Sequence, residues 1–433
     1  MIPTRFRGIF FCFFGVAAGL YLSHALRDYR SGYAADFYQF WVAGRAARSP
    51  SMTNIYSEES RTLIGERFYQ EALASGSPDH ITAASMRRAS FEPGGSPFMY
   101  TVFQLFSTGN YDVDYEVFRI AGLLLYMAGI IIFFSAAGCP FPLPFLFILV
   151  FTEWFYPFQG ELYWGNLNFI QIGLLAIGLR LRAGAETACK NYLFGTLITV
   201  LVFLKPNIIF VPLLFSASWF IDRRWRTVLQ VGSSAALTAV AAYGGTCLFF
   251  RSFACWCDWQ AGFQQIARTY PNANFFAFIN LGTPFGSFWI CGLVLCGAAV
   301  ALIFLKKKSA FDPDGPAADA KRLSKEHALM GIGLVAYLLS GGLVHAHYFI
   351  LTIPLVSHLL RPIGPEESAP FIFFKLRHVM AGVAVWLVSM PELTPMVGSG
   401  YYTVESYWGA VALYVAALWD LGTSNDEQAK SSN

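Results

Sequence analysis

Apolar residues run in long blocks along this chain, separated by short polar links. The runs at 8–26, 117–137, 141–158, 167–179, 192–204, 207–221, 228–250, 284–305, 328–344, 348–360, 379–391 and 404–419 read as membrane helices or parts of them. Several fall short of the roughly 20 residues that a perpendicular span needs. Those are expected to tilt, to borrow amphipathic flanks, or to dip in and return. Lys205-Pro206 divides two of the short runs, which puts a helix breaker and a charge at one turn. Irregular backbone at membrane depth is tolerated only where protein buries it or where it lines a cavity. The pattern predicts an all-α integral membrane protein, a multi-span helical bundle in one domain over residues 1–421. A long first loop (27–116) is expected to bear short amphipathic helices. The stretch 306–327 reads as a flexible linker, and 422–433 as a disordered tail.

Charge orients the set. Only 13% of the 433 residues are charged, against roughly 25% in soluble domains, which favours lipid over a large soluble core. With the N-terminus inside, the inner links hold Arg180, Arg182, Lys190, Arg223, Arg224, Arg226, Lys306, Lys307, Lys308, Lys321, Arg322, Lys325, Arg361, Lys375 and Arg377. The short outer links hold only Lys205, Arg251 and Arg268. This bias predicts both termini in the cytoplasm; a plasma (bacterial inner) membrane is the location that the family resemblance given below implies. The long first loop is exempt from the rule, as long translocated segments are. Arg5 and Arg7 before an apolar run admit a signal peptide, but the run is long enough to stay as the first span. A net charge of +3 gives no reason to expect a nucleic-acid partner. The cysteines form no zinc-type pairs, and Cys255 and Cys257 fall in an outer link.

The polar residues worth naming gather on the expected outer side. Asp36 stands among Phe37, Tyr38, Phe40 and Trp41 just beyond the first run. It either caps an interfacial helix whose aromatics lie at headgroup level, or acts as a general base in a partly desolvated cleft. In "ELYWGNLNFIQIGLL" (161–175), Gly165, Asn166 and Asn168 open a helix. Buried amides there either brace neighbouring helices or bind a ligand's hydroxyls. Lys205 either snorkels to the interface or pairs with a lipid-borne phosphate. His345 and His347, beside Tyr348, sit at the end of a run, where histidine is costly and marks a functional candidate. A zinc site is not expected at that pair, which lacks a further ligand set. Asp112-Val-Asp114 matches a metal-binding DxD pattern, but its place before a helix suits a turn or cap. "GSPFMYTVFQLF" (95–106) reads as the loop's return to the membrane.

Taken in order, these pieces resemble glycosyltransferase family 87, membrane-embedded GT-C enzymes that include polyprenol-phosphate-mannose-dependent mannosyltransferases. The likeness rests on "DFYQFWVAGRA" (36–46), "FMYTVF" (98–103), "GNLN" (165–168), "VFLKP" (202–206) and "SGGLVHAHYF" (340–349). Thr101-Val102 stand in place of the family's paired prolines, Asn166 in place of a glutamine, and Ala346 splits the histidine pair. The resemblance implies a GT-C-type bundle and an inverting hexosyltransferase at the outer face of the membrane. A hexose, with mannose expected, passes from a polyprenyl phosphate to a glycolipid or surface-glycan acceptor. Asp36 is then the base. Lys205, His345 and His347, with Arg251 or Arg268, hold the donor's phosphate and sugar. Tyr38, Tyr100, Asn166, Asn168 and Tyr348 line the substrate cleft. Neither a cofactor nor a metal is implied. Two alternatives stand beside this reading: a transporter or flippase of lipid-linked sugars, and a scaffold whose active site has decayed.

Overall fold

The structure is a computed structural model. It describes residues 16, 19, 34–49, 54–89, 91–140, 142–269, 284–307, 316–340, 344–362, 376–389 and 404–423. The expected first span at 8–26 lies outside the described residues apart from 16 and 19, and so do 424–433 of the expected tail.

Every regular element among the described residues is helical. The first loop folds into α1 (Ala35–Ala47), α2 (Glu58–Ser75), α3 (Pro78–Arg87) and α4 (Pro97–Phe106). Its punctuation is local chemistry. Ser57, Ser77 and Ser96 each cap a helix by accepting a backbone N–H, and Pro78 and Pro97 follow at the first helical position. Ser96 also ties the loop down, since its hydroxyl donates to the Phe203 carbonyl at 2.5 Å and fastens it to the helix Ala188–Leu204. The aromatics after Asp36 do not lie along a surface. Phe37, Tyr38, Phe40 and Trp41 are all buried, packed against Phe103, Tyr111, Phe118 and His80. The interfacial-helix alternative for α1 therefore fails, because the loop builds an aromatic core of its own and α1 runs through it.

The chain continues as α5 (Tyr111–Ala136), α6 (Pro142–Trp154), α7 (Tyr156–Trp164), α8 (Asn168–Arg182), α9 (Ala188–Leu204), α10 (Phe210–Ile221) and α11 (Trp225–Phe250). After it come α12 (Cys255–Thr269), α13 (Pro284–Lys307), α14 (Pro316–Ser340), α15 (Ile353–Leu359), α16 (Leu376–Ser389) and α17 (Val404–Thr423). Among the described residues α5 and α11 are long and apolar enough to cross a membrane, and α7 with α8 make a third span if the bent pair is one. That pair turns by 114°. The run expected at 141–158 is not one helix, since α6 ends at Trp154 and α7 begins at Tyr156 with Pro157 in its first turn. Of the segment expected as a linker (306–327), residues 316–327 are helical and 308–315 lie outside the described residues. Pro316 opens α14, Asp319 pairs with Arg322 at 2.8 Å one turn on, and Lys325 reaches Asp222 at 2.7 Å. Regularly spaced opposite charges along one helix resemble a solvated linker when read as composition alone.

Beyond the loop, α5–α11 and α13–α17 share one apolar cluster among the described residues. One close seam joins α5 to α8. A Cβ on Gly173 would lie 2.6 Å from both the Cβ and the carbonyl oxygen of Leu125, so only glycine permits that approach. Gly297 of α13 has nothing within 4 Å. Gly173→Ala is expected to destabilise the protein by about 1–3 kcal/mol through overpacking. Gly297→Ala is expected to be neutral or slightly stabilising. Thermal unfolding in detergent checks both, and equal melting temperatures for the two variants would contradict this packing.

Candidate functional site

Two interruptions of the helices build the site. The first is the α7–α8 bend, where Gly165 has φ +66° and ends α7. A Cβ there would lie 3.0 Å from Phe37 Cβ, so the bend can seat the start of α1 only because residue 165 is glycine. Ala34, also left-handed, donates its N–H to the Tyr163 carbonyl at 3.0 Å and completes that junction. The second interruption is Lys205-Pro206, which ends α9 and leads through a 3-10 turn, Pro206–Ile208, into α10.

Where the two breaks meet, polar side chains form a chain of contacts. Asn166 donates to Asp36 Oδ2 at 2.7 Å, and its own oxygen accepts from Lys205 Nζ at 2.7 Å. The ammonium also donates to Asn168 Oδ1 at 3.1 Å and lies 3.8 Å from the centroid of the Tyr348 ring. Asn168 passes the chain inward to buried Glu161. That carboxylate accepts from Asn168 Nδ2 at 2.8 Å and from the Asn168 backbone N–H at 2.6 Å. Asn207 and Gln171 clasp each other beneath, and Asn207 donates to Asn168 Oδ1 at 3.4 Å. The capping alternative for Asp36 fails: the N-cap of α1 is Ala34, which makes no side-chain cap bond, and both carboxylate oxygens of Asp36 face across the fold. Arg87 reaches Asp36 Oδ1 at 3.5 Å. His347 Nε2 stands 3.9 Å from Asp36 Oδ2, buried and without a hydrogen-bond partner. His345 stacks on His347 with ring centroids 5.5 Å apart. Gly160 leaves room for the 3-10 turn Ala346–Thr352, which carries His347 to the carboxylate.

Asp36, Asn166, Asn168, Lys205, His345, His347 and Tyr348 thus come together from distant parts of the chain. Tyr100 is close by but structural in its bonding, for its hydroxyl accepts from the Gly95 N–H at 2.7 Å. Tyr38 points the other way, edge-on to Tyr111 in the aromatic core of the loop. Arg251 is exposed at the end of α11, and Arg268 falls in α12. Arg87 is the arginine beside the carboxylate, and "SMRRAS" carries no signal that singles it out from an ordinary solvated loop. Glu161, Gln171 and Asn207 were likewise unassigned by sequence. A lone carboxylate between apolar runs was the available signal for Glu161. The aspartates of the DxD pattern serve the loop. Asp114 accepts from Trp41, Ser107 and the Thr108 and Gly109 N–H groups, while Asp112 accepts from Ser77.

An α-helical membrane protein with a carboxylate, two buried amides and a lysine converging at one end of its helices is suited to group transfer at a bilayer surface. The sequence model of glycosyltransferase family 87 matches residues 95–318, just over half the chain, and the chain belongs to that family. No curated protein matches it, and neither does any solved structure. Membership makes the chain a membrane glycosyltransferase. The matched stretch holds Asn166, Asn168 and Lys205; Asp36 and His347 lie outside it and join the site through the fold.

Lys205 lies in the turn between α9 and α10. Burial pulls its ammonium below the ordinary lysine range, and the carboxylates of Glu161 and Asp36 draw it back up. A lysine with a lowered value loses its charge earlier as pH rises. Sugar transfer should therefore fall on the alkaline side well before about pH 10.4, the ordinary lysine midpoint. Lys205→Arg keeps its charge throughout that range and should flatten the alkaline limb. An unchanged limb in the arginine variant, seen in a pH–rate profile, would count against this assignment.

Proposed function

We propose that this glycosyltransferase moves a hexose, with mannose the expected sugar, from a polyprenyl phosphate to a glycolipid or surface-glycan acceptor at the outer face of the plasma membrane. The observation that carries the reading is the chain Asp36–Asn166–Lys205, which sets a carboxylate and an ammonium on opposite ends of one amide. Asp36 removes the proton from the acceptor hydroxyl, whose oxygen attacks the anomeric carbon. The bond from that carbon to the phosphate oxygen breaks, and the electron pair leaves with the polyprenyl phosphate. Lys205 neutralises the charge that develops there, and attack opposite the leaving group inverts the anomeric centre. Asn166 fixes the distance between the two charges. Arg87, in place of Arg251 or Arg268, is the arginine that orients the other carboxylate oxygen. His347 offers its free Nε2 beside Asp36 to a sugar hydroxyl or to the phosphate.

A lipid-borne donor suits this geometry. Outside the cytoplasm no nucleotide sugar is at hand, and the cluster lies at the ends of apolar helices, where a donor dissolved in the bilayer meets a polar acceptor. Asp36→Asn, assayed in membranes supplied with a polyprenyl-phosphate sugar, is expected to lower turnover by about 10²–10⁴-fold at matched expression. Turnover near wild type would remove Asp36 as the base. Transfer of labelled sugar by the detergent-solubilised protein, with no closed vesicle present, would exclude a purely transporting role.

A further inference from the structure

Glu161 is a buried carboxylate to which the transfer reaction assigns no part. It sits in α7, 1% exposed, one turn before the Gly165 bend. Both of its oxygens accept. Oε1 takes the backbone N–H groups of Asn168 at 2.6 Å and Phe169 at 3.3 Å, and Oε2 takes Asn168 Nδ2 at 2.8 Å. The backbone bonds have a plain structural use, for they satisfy N–H groups at the start of α8 that no carbonyl of that helix can reach. The bond to the Asn168 side chain does something further.

A side-chain amide presents an oxygen on one side and N–H donors on the other. Lys205 can only donate, so it needs the oxygen of Asn168. It reaches that atom at 3.1 Å, beside Asn207 Nδ2 at 3.4 Å. A carboxylate can only accept, so Glu161 holds the NH₂ and leaves the oxygen turned to the lysine. Glutamine could not take its place. A single amide oxygen cannot serve both the N–H groups of α8 and Asn168 Nδ2, so one donor would be left facing another. Charge acts in the same direction. Burial works to strip Lys205 of its proton, and the negative charge of Glu161, followed by that of Asp36, opposes this. Arg87, His345 and His347 also face the lysine side of the pair, and Arg119 and Tyr126 face Glu161.

We propose that Glu161 is a positioning residue for sugar transfer: through Asn168 it turns an amide oxygen toward Lys205 and keeps that lysine charged where the leaving group departs. Its purpose rests on the reading of Lys205 as the leaving-group contact. A lysine near a carboxylate holds its proton to higher pH, so a lysine deprived of that carboxylate loses its charge earlier as pH rises. The test therefore measures the amine itself, without sugar transfer. Purified full-length protein in non-ionic detergent is trace-labelled with acetic anhydride over a range of pH. Acylation of Lys205, which is half-buried and open to the reagent, is read by peptide mass spectrometry.

Glu161→Gln is expected to lower the pH midpoint of Lys205 acylation by about one unit or more. The alkaline limb of the pH–rate profile should move with it. In a Lys205→Arg background Glu161→Gln should leave that limb where it is, because guanidinium stays charged throughout. A purely structural role would lower the rate at every pH and leave the midpoint in place, and an unmoved midpoint overturns the proposal. Should Glu161→Gln not fold, Asn168→Ala keeps the bonds from Glu161 to the backbone of α8 and breaks only the relay. It too is expected to lower the midpoint, and an unchanged value defeats the proposal. A lowered midpoint in a protein that transfers no sugar upholds the Glu161–Lys205 link and fails the functional reading. An unmoved midpoint in an active enzyme fails this proposal alone.

Discussion

A charged amine enclosed among apolar helices must be solvated by the protein itself, and that requirement organises the candidate site of this molecule. Lys205 meets it with the oxygens of Asn166 and Asn168 and with the face of Tyr348. Each amide oxygen turned toward the lysine leaves an amide NH₂ pointing away, and those donors are taken by Asp36 and Glu161. The amides therefore convert one buried cation into two oriented carboxylates, one accessible and one deep. Both helix interruptions serve this arrangement. Gly165 turns the chain so that Asn166 and Asn168 face α9, and Pro206 ends the helix that would otherwise carry Lys205 away.

The opposite end of α8, about 22 Å away for its fifteen residues, also gathers buried charge. Arg182 and Arg224 converge on Glu326 at 3.0 and 3.1 Å, joined by the Trp219 indole at 2.9 Å, and Glu186 pairs with both arginines. Such a buried cluster is a clamp: removing one partner strands the others, whereas its net contribution to stability is modest. The asymmetry between the two ends is instructive. One pairs arginines with carboxylates, and the other holds a histidine nitrogen without a hydrogen-bond partner beside a carboxylate.

Much of this was legible in the sequence because membrane helices announce themselves by composition. The apolar runs at 117–137, 228–250 and 404–419 fall within α5, α11 and α17 to within a residue or two. Asn166, Asn168 and Lys205 stood out because polar residues at the ends of such runs are rare. Charged amphipathic sequence was harder. Pro316–His327 has the composition of a linker, yet it is helical because its charges find partners across the fold. Arg87 was hidden for a related reason: within a charged loop its neighbours look equivalent, and only tertiary packing selects the one that reaches Asp36. Tyr38 illustrates the converse, since adjacency to Asp36 in sequence puts it on the other face of α1.

The account stands on the claim that Asp36, Asn166, Lys205 and His347 enclose the reacting carbon of a lipid-linked sugar. A cryo-electron-microscopy structure of the protein with a non-cleavable polyprenyl-phosphate-sugar analogue measures this directly. The account predicts the phosphate within hydrogen-bond reach of Lys205 and the anomeric carbon between that phosphate and Asp36. A headgroup bound at the Arg182–Glu326 end, or anywhere out of reach of both Asp36 and Lys205, would contradict it.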